Sequence, residues 1–502
     1  MADSAPSTSR YLEVERKFDV GESTSSPSFA GIADVLRVER LPAQELDAIY
    51  YDTAARDLAS RRITLRRRTG GDDAGWHLKL PAGPDARTEV RAPLGTANGS
   101  DDDGHEDVPT ELLDLVLAIV RDRPVRPVAR ITTRRQVHQL YGANDAALAE
   151  FCDDRVIASR PATPDAPGVE QRWREWELEL AQPATNTGLM DRLSDRLLGA
   201  GAAPAGHGSK LARVLGTTPN DLAARAADPL HRAVAEQLDE LLVRDRAVRA
   251  GADDAVHQMR VTARKIRSVL QASPDSFGRA DDTSILDELR ELANVLGEAR
   301  DPEVLAERYR AALDKLPPKL ARGPIRDRLI DGAEQRYRAG VRRSLAAMRS
   351  PRYFRLLDAL EAVVATTPPT GQGSRSVAVA AAGKKVRKAA KTARRAADED
   401  LDEAIHRIRK RAKRLRYTAT AMDAKKVSKR AKKVQSLLGD RQDCVVSREH
   451  LTEQADAAHA ACEDAFTYGL LHQQDSDLAR EYLRQLEPAL RKLFKALRKL
   501  SK

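Results

Sequence analysis

In the N-terminal part of the chain, apolar and polar positions alternate with period two in short runs separated by turn residues. The first run is Tyr11–Val20, YLEVERKFDV. As a strand it places Glu13, Glu15 and Lys17 on one face and Leu12, Val14 and Phe18 on the other. Further runs predict strands over Glu45–Tyr51, Thr64–Arg68, Trp76–Leu80, Arg87–Arg91, Val128–Leu140, Ala147–Asp154 and Arg172–Leu180. Gly21–Ser28 reads as a polar loop, Gly70–Asp73 as a turn, and Gly31–Val38 and Thr110–Val120 as helices. Short alternating strands between turns predict an antiparallel sheet or barrel. Near residue 217 the pattern changes, and from Pro229 the chain reads as long helices rich in Ala, Leu, Arg and Glu. No clean heptad persists there, which argues against a coiled coil.

The strands share an unusual feature, a charged face. It carries Glu13, Glu15, Lys17, Arg66, Arg68, Lys79, Arg134, Glu177 and Glu179, and on the last strand Glu175 joins Glu177 and Glu179 opposite Trp176 and Leu178. Any one such face could be a solvated exterior. The opposite faces, however, are not richly apolar on every strand, and a closed barrel would gather these side chains into one polar lumen. A lumen of mixed sign suits a phosphate chain: cations hold its oxygens, and carboxylates hold a hard divalent cation such as Mg²⁺.

At 502 residues the chain exceeds one core and suggests several domains. Its net charge of +10 favours polyanionic partners. Cys152, Cys444 and Cys462 are scattered without CxxC spacing, which fits a reducing cytosol better than a disulfide framework or a zinc site. The N-terminus lacks a signal-peptide core and no apolar run is long enough to span a bilayer, so the expectation is a cytoplasmic protein without membrane contact. Aromatics make up only 4% of the chain, which disfavours single-stranded nucleic acid as a partner, since stacking platforms need them.

The helical part contains an internal repeat. His257, Arg260, Arg264, Lys265 and Arg267 recur as His406, Arg409, Lys413, Arg414 and Arg416 at a constant offset of 149. A second piece follows each copy: Leu296-Gly297-Glu298 with Asp301, then Leu438-Gly439-Asp440 with Asp443, Gln442 standing where the first copy has Arg300. In each copy the His and the first, second and last basic positions share one helix face over about 15 Å. A row of like charges invites a polyanion across it. From Lys384 to Lys433 there are twenty Lys or Arg against six Asp or Glu, so basicity is concentrated in the second copy. The low-complexity stretch Thr366–Ser376 reads as the connection between copies.

The ordered set ExExK (Glu13–Lys17), YYDT (Tyr50–Thr53), LRRR (Leu65–Arg68), Lys79 and a late ExE (Glu177–Glu179) resembles the CYTH family of triphosphate tunnel metalloenzymes over residues 9–216. The resemblance implies an eight-stranded antiparallel tunnel that hydrolyses triphosphates with Mg²⁺ or Mn²⁺. It implies Glu13, Glu15, Asp154, Glu177 and Glu179 as metal ligands, and Lys17, Arg66, Arg68, Lys79, Arg134 and Lys210 as the groups that hold phosphate. Arg130 is an alternative to Arg134; adjacent Asp153 leaves the Asp154 register open by one, and Pro161–Val169 before the last strand looks like a loop insertion. The duplicated HxxRxxxRKxR pattern resembles the CHAD domain over residues 225–502, with copies at about 225–365 and 376–502. That resemblance implies inorganic polyphosphate bound by His257, Arg260, Arg264, Lys265, Arg267, His406, Arg409, Lys413, Arg414 and Arg416.

The expected protein is therefore of α+β class: an antiparallel eight-stranded β tunnel with flanking helices, then an all-α domain of two duplicated helical bundles. Its expected activity is metal-dependent hydrolysis of inorganic triphosphate, with polyphosphate bound by the helical domain and polyphosphate granules as a compatible setting. Thiamine triphosphatase, class IV adenylate cyclase and a non-catalytic polyphosphate receptor or granule scaffold stay open. The sequence decides neither Mg²⁺ against Mn²⁺ nor the oligomeric state.

Overall fold

The structure, a computed structural model, describes residues 8–32, 34–95, 107–162, 167–181, 188–226, 228–272, 277, 283–366 and 375–500. The chain divides into two compact units, residues 1–220 and 221–502.

The first unit is built on strands β1 (Ser9–Val20), β2 (Arg37–Arg40), β3 (Gln44–Asp52), β4 (Thr64–Thr69), β5 (Gly75–Pro81) and β6 (Ala86–Ala92). Helix α1 (Thr110–Val120), β7 (Arg126–Tyr141), β8 (Ala147–Arg160), β9 (Val169–Leu180), α2 (Leu189–Gly199), β10 (Ala203–Pro204) and α3 (Lys210–Leu215) follow. Eight strands pair antiparallel in the order β1-β6-β5-β4-β3-β7-β8-β9, and β9 pairs back onto β1, closing a barrel. β1 makes closure possible by splitting its length: Ser9–Val14 pairs with β6 and Glu15–Val20 with β9. The short β2 and β10 add to β7 and β1.

Alternation along the strands separates two kinds of packing. Outside, Phe18, Phe151, Trp176 and Leu178 pack beneath Leu189, Met190, Leu193 and Leu197 of α2. The rings of Phe151 and Trp176 meet edge to face at 5.5 Å. Inside, one part of the barrel is apolar, where Tyr50, Ile131, Val156 and Trp173 pack with Leu211, Val214 and Leu215 of α3. The remaining interior is polar.

Gly31–Val38 is not a helix. Turns lead from Phe29 into β2, with Gly31 at φ 84°. The three-residue spacing of Phe29, Ile32 and Val35 looks helical, but it arises because all three are buried against the α2 side of the barrel. The loop expected at Pro161–Val169 has residues 163–166 outside the described set, and Val169 already belongs to β9.

The second unit is helical: α4 (Leu222–Arg225), α5 (Pro229–Arg249), α6 (Ala255–Ala272), α7 (Ser284–Leu313), α8 (Gly332–Met348), α9 (Pro351–Ala365), α10 (Arg375–Ala393), α11 (Asp398–Ala421), α12 (Lys425–Ala460) and α13 (Phe466–Leu500). The repeat motifs fall on α6 and α11, and their second pieces on α7 and α12. Helices α10–α13 share one core that includes Val386, Ile408, Leu415, Val434, Leu438 and Leu493. A second cluster ties α7 to α12 and α13 through Tyr309, Leu313, Leu451 and Tyr468. The expected connection Thr366–Ser376 lies, for residues 367–374, outside the described residues. No described helix is long and apolar enough to cross a membrane.

Candidate functional site

The polar part of the barrel is a cavity of about 440 Å³, whose wall includes Glu13, Glu15, Lys17, Arg66, Arg68, Lys79, Glu177, Glu179 and Lys210. Strand geometry brings these together from across the sequence: Glu15 lies opposite Glu179 and Lys17 opposite Glu177 between β1 and β9. A second cavity, of about 790 Å³, reaches Glu15, Lys17 and Arg87 as well. The lumen can thus be approached from two sides.

One wall is a knot of ion pairs. Lys17 Nζ lies 2.8 Å from Glu15 Oε2 and also contacts Glu177. Lys210 Nζ sits 2.7–2.8 Å from carboxylate oxygens of Asp154, Glu175 and Glu177. It opens α3, whose N-terminus is capped by Ser209 accepting from the Ala212 amide. Burial penalises the charge of Glu177, but Lys17, Lys210 and Arg135 hold its carboxyl well below the usual range. Glu15 is likewise buried and is held at about 2 by Lys17, Lys79 and Arg87. Opposite, Lys79 Nζ donates to Glu13 Oε2 at 2.6 Å. His77, pushed down to about 4 by burial, shares its Nδ1 with Glu89 Oε1 at 2.9 Å.

Two groups are only partly compensated. Glu179 has no ion-pair partner among the described residues, and burial with Glu13, Glu15 and Glu150 nearby pushes it up to about 7. Arg66 and Arg68 each carry a buried Nε without a hydrogen-bond acceptor. Arg66 donates to Tyr50 Oη at 3.3 Å, Arg68 pairs through its Nη2 with Asp73, and burial beside Arg66 and Arg135 drops Arg68 to about 9. The lumen thus gathers carboxylates at Glu13–Glu15–Glu179, where Lys17, Lys79 and Arg87 pair Glu13 and Glu15 but not Glu179, and guanidiniums at Arg66–Arg68.

The donors around Glu179 are all carboxylate oxygens, the set a hard divalent cation takes, and an added cation would relieve their mutual repulsion. Asp154, Glu175 and Glu177 also offer ligand atoms within 4.8 Å of one another and could hold a metal. Their charge is already matched by Lys17, Arg135 and Lys210.

The expected basic residue of β7 is displaced by one. Arg134 points outward, 68% exposed beside Glu45, and the alternate Arg130 pairs outside with Asp47. Arg135 enters the lumen, where it grips Asp154 through both ends of its guanidinium and also meets Glu177. On β8, Asp154 is the inward carboxylate, while Asp153 faces out to Arg174 and Ser26. The sequence reading also passed over Arg87, Glu89 and Arg91 on β6 and Glu150 on β8, which line the lumen, while Glu175 of β9, placed on the charged face, meets Lys210 there. The Arg-Thr-Glu-Val-Arg alternation of Arg87–Arg91 was the available signal for the first three.

In the helical unit, α6 packs against α11, which brings the two basic faces together. Cavities of about 450 and 510 Å³ share Arg264, Arg267, Arg290 and Arg409; His257 and Arg260 line one, His406, Lys413 and Arg414 the other. Arg264, Arg267, Arg409, Lys413 and Arg414 have no ion-pair partner among the described residues. Burial and the facing arginines 264, 409, 260 and 267 push Lys413 down to about 6. Lys265 and Arg416 line neither cavity; Arg416 donates to Gln435. Burial also lowers both His257 and His406, which disfavours their imidazolium forms in this arrangement.

The second repeated piece acquires a physical role. A Cβ on Gly297 would lie 3.0 Å from the Arg260 guanidinium, and one on Gly439 3.6 Å from that of Arg409. Gly297 leaves room for the Arg260 guanidinium against α7, whereas at Gly439 a Cβ would meet Arg409 at ordinary contact distance. Asp301 anchors Arg260 at 2.7 Å, and Asp443 faces Arg409.

Comparison with known proteins agrees with both units. The CYTH domain model matches residues 12–191 and the CHAD domain model residues 232–452. Uncharacterized protein MT2285 of Mycobacterium tuberculosis (strain CDC 1551 / Oshkosh) is 61% identical over 513 residues, covering 99% of each chain. Among solved structures, PptA from Streptomyces chartreusis matches with TM-score 0.45 and 19% identity over 53% of this chain and 99% of its own. The CHAD domain from the plant Ricinus communis matches with TM-score 0.39 and 23% identity over 55% of this chain and 91% of its own. CYTH-family members are typically metal-dependent triphosphatases or cyclases, and CHAD domains are linked to polyphosphate. With a closed eight-stranded barrel followed by a duplicated helical unit, the chain belongs to the family of CYTH–CHAD proteins.

Proposed function

We propose that the barrel is a metal-dependent inorganic triphosphatase and that the helical unit binds inorganic polyphosphate. The observation that carries the first part is one lumen that combines a carboxylate set, Glu13–Glu15–Glu179, whose Glu179 has no ion-pair partner among the described residues, with two guanidiniums, Arg66 and Arg68, whose buried Nε atoms have no acceptor. A triphosphate with its divalent cation has the complementary charge at both ends of that arrangement. Glu13, Glu15 and Glu179, beside Glu177, would hold Mg²⁺ or Mn²⁺. When bound, the metal supplies charge neutralisation on phosphate oxygens and a more acidic water.

Arg66 and Arg68 would grip phosphate oxygens bidentately, and Lys79 would neutralise a neighbouring phosphate. Asp154 fits better as the anchor of Arg135 and Lys210 than as a metal ligand, since both cations already sit on it. The anchored pair then presents fixed positive charge to the substrate without reorganising. In the helical unit, the unpaired arginines between α6 and α11 suit a linear polyanion, with Arg264 central and Lys413 able to take up a proton beside the ligand's charge.

The test is phosphate release from triphosphate, ATP, thiamine triphosphate and long polyphosphate, with Mg²⁺, Mn²⁺ or chelator. Metal-dependent release from triphosphate, lost by a hundredfold or more in Glu13→Gln and in Glu15→Gln, is expected, because an amide is a poor ligand for a hard cation. Undiminished turnover in both variants at saturating metal refutes the assignment.

A further inference from the structure

The basicity of the second helical copy is not exhausted by the α6–α11 groove. The first helices of the two copies have diverged: α5 carries four acidic residues against four arginines, whereas α10 carries six basic residues and no acidic one. Helix α13 runs antiparallel beside α10. Gly383 approaches Leu497, Arg387 lies over the Phe494 ring at 5.2 Å, and Arg394 reaches Glu487 at 2.6 Å. From Pro488 to its end, α13 has five basic residues and no acid. Lys384, Arg387, Lys388 and Lys391 of α10 and Arg491 and Arg498 of α13 are all exposed, and none has an ion-pair partner among the described residues. The result is a ridge of cations along two adjacent helices.

The ridge is continuous with the groove. Lys410 of α11 lines the groove, while Arg407, one turn earlier, shares a surface cavity with Lys388 and Lys391 of α10. A strand of negative charge leaving the groove therefore meets Lys410, passes Arg407, whose guanidinium is held by Glu403 at 2.6 Å, and reaches the unpaired cations of α10.

We propose that the α10–α13 ridge is a second polyanion surface, occupied by the part of a long inorganic polyphosphate chain that runs out of the groove. This rests on the groove reading given above. A membrane fits less well, because the apolar positions of the ridge, such as Val386, Leu493 and Leu497, are buried and leave little to insert. Single-stranded nucleic acid fits less well, because Phe494 is half-buried under Arg387 and the ridge offers no open stacking face. Lysines and arginines on one rigid ridge suit a flexible chain of phosphates, and engaging two surfaces with one ligand raises apparent affinity through effective concentration.

The test uses the full chain with chelator present, and short and long polyphosphate as separate probes. In the ridge variant Lys384→Gln/Lys388→Gln/Arg491→Gln/Arg498→Gln, long-chain Kd should rise at least tenfold. The slope of log K against log salt should fall by about 3 for four lost cations, with short-chain Kd unchanged. The groove variant Arg264→Ala/Arg409→Ala should weaken both probes. Unchanged long-chain affinity and slope in the ridge variant, with short-chain binding lost in the groove variant, overturns the ridge alone. Short-chain binding that survives the groove variant overturns the groove reading and the continuity claimed here. Loss of duplex DNA or anionic vesicles from the ridge variant, with long-chain polyphosphate retained, reassigns the surface and overturns the proposal.

Discussion

Lys413 is the point at which the helical unit trades stability for binding, and Lys413→Met tests this. In the folded chain, burial among four arginines holds its ammonium at about 6 instead of 10.5. The folded state therefore binds fewer protons than the unfolded state between these values, and wild-type stability rises with pH across that window. At pH 7 the unfolded lysine is charged and the folded one is not. The gap of roughly 3.5 pH units sets a ceiling of about 5 kcal/mol on the cost of keeping a lysine here. Water in the open groove screens part of this, so a gain of about 2 kcal/mol is expected for Lys413→Met, which keeps the apolar stem and removes the charge. All three tryptophans, Trp76, Trp173 and Trp176, lie in the barrel, so denaturation of the full chain can be followed separately by their fluorescence and by far-UV ellipticity, which is dominated by the helical unit. The ellipticity transition should move to higher denaturant at pH 7, the fluorescence transition should stay, and the gain should vanish above pH 10.5. A gain that is absent at pH 7, or equal at pH 7 and pH 11, refutes the reasoning. The same variant should weaken polyphosphate binding, since the ligand's charge would restore the proton that the empty groove expels.

Three other outcomes follow from particular contacts. Arg135→Ala should destabilise the barrel by about 3 kcal/mol, because it strips a cation from buried Asp154 and Glu177, whereas Arg134→Ala should leave barrel stability and turnover unchanged; equal effects would put the β7 register in error. Arg66→Ala/Arg68→Ala should raise KM for triphosphate and lower kcat together, measured by phosphate release, and wild-type kinetics would remove these residues from the site. Gly340→Ala should cost the helical unit roughly 1–3 kcal/mol by denaturation, because the new Cβ would lie 2.5 Å from the Ala299 backbone where α8 crosses α7.

Much of the barrel was legible in the chain, because a strand with charges at every second position has one possible destination for them once the sheet closes. Glu13, Glu15, Lys17, Arg66, Arg68, Lys79, Glu177 and Glu179 all reach the lumen on that ground. The helical repeat was legible too, since a constant offset preserves which face each residue occupies. β7 was different. Thr133-Arg134-Arg135-Gln136 is polar at consecutive positions, so alternation says nothing about which arginine turns inward, and a shift of one residue exchanges the two faces. Pairing decides it: Arg135 lies opposite Asp154 and Arg134 opposite Arg155.

What the sequence by itself determined is the class of most strands and helices and the identity of most lumen groups, because period and residue type are local properties. Tertiary structure alone decided which charges are compensated. Glu177 and Glu179 are two residues apart on one strand face, yet one is held low by Lys17, Lys210 and Arg135 and the other is pushed up to about 7. Lys413 and Arg414 are neighbours in sequence, yet Lys413 is buried beside Arg264, Arg409, Arg260 and Arg267, which push it down to about 6, while Arg414 has Arg411 and Arg267 as its charged neighbours. These differences come from groups brought close by strand closure and helix crossing, and electrostatic energy depends on those distances and on the water excluded between them.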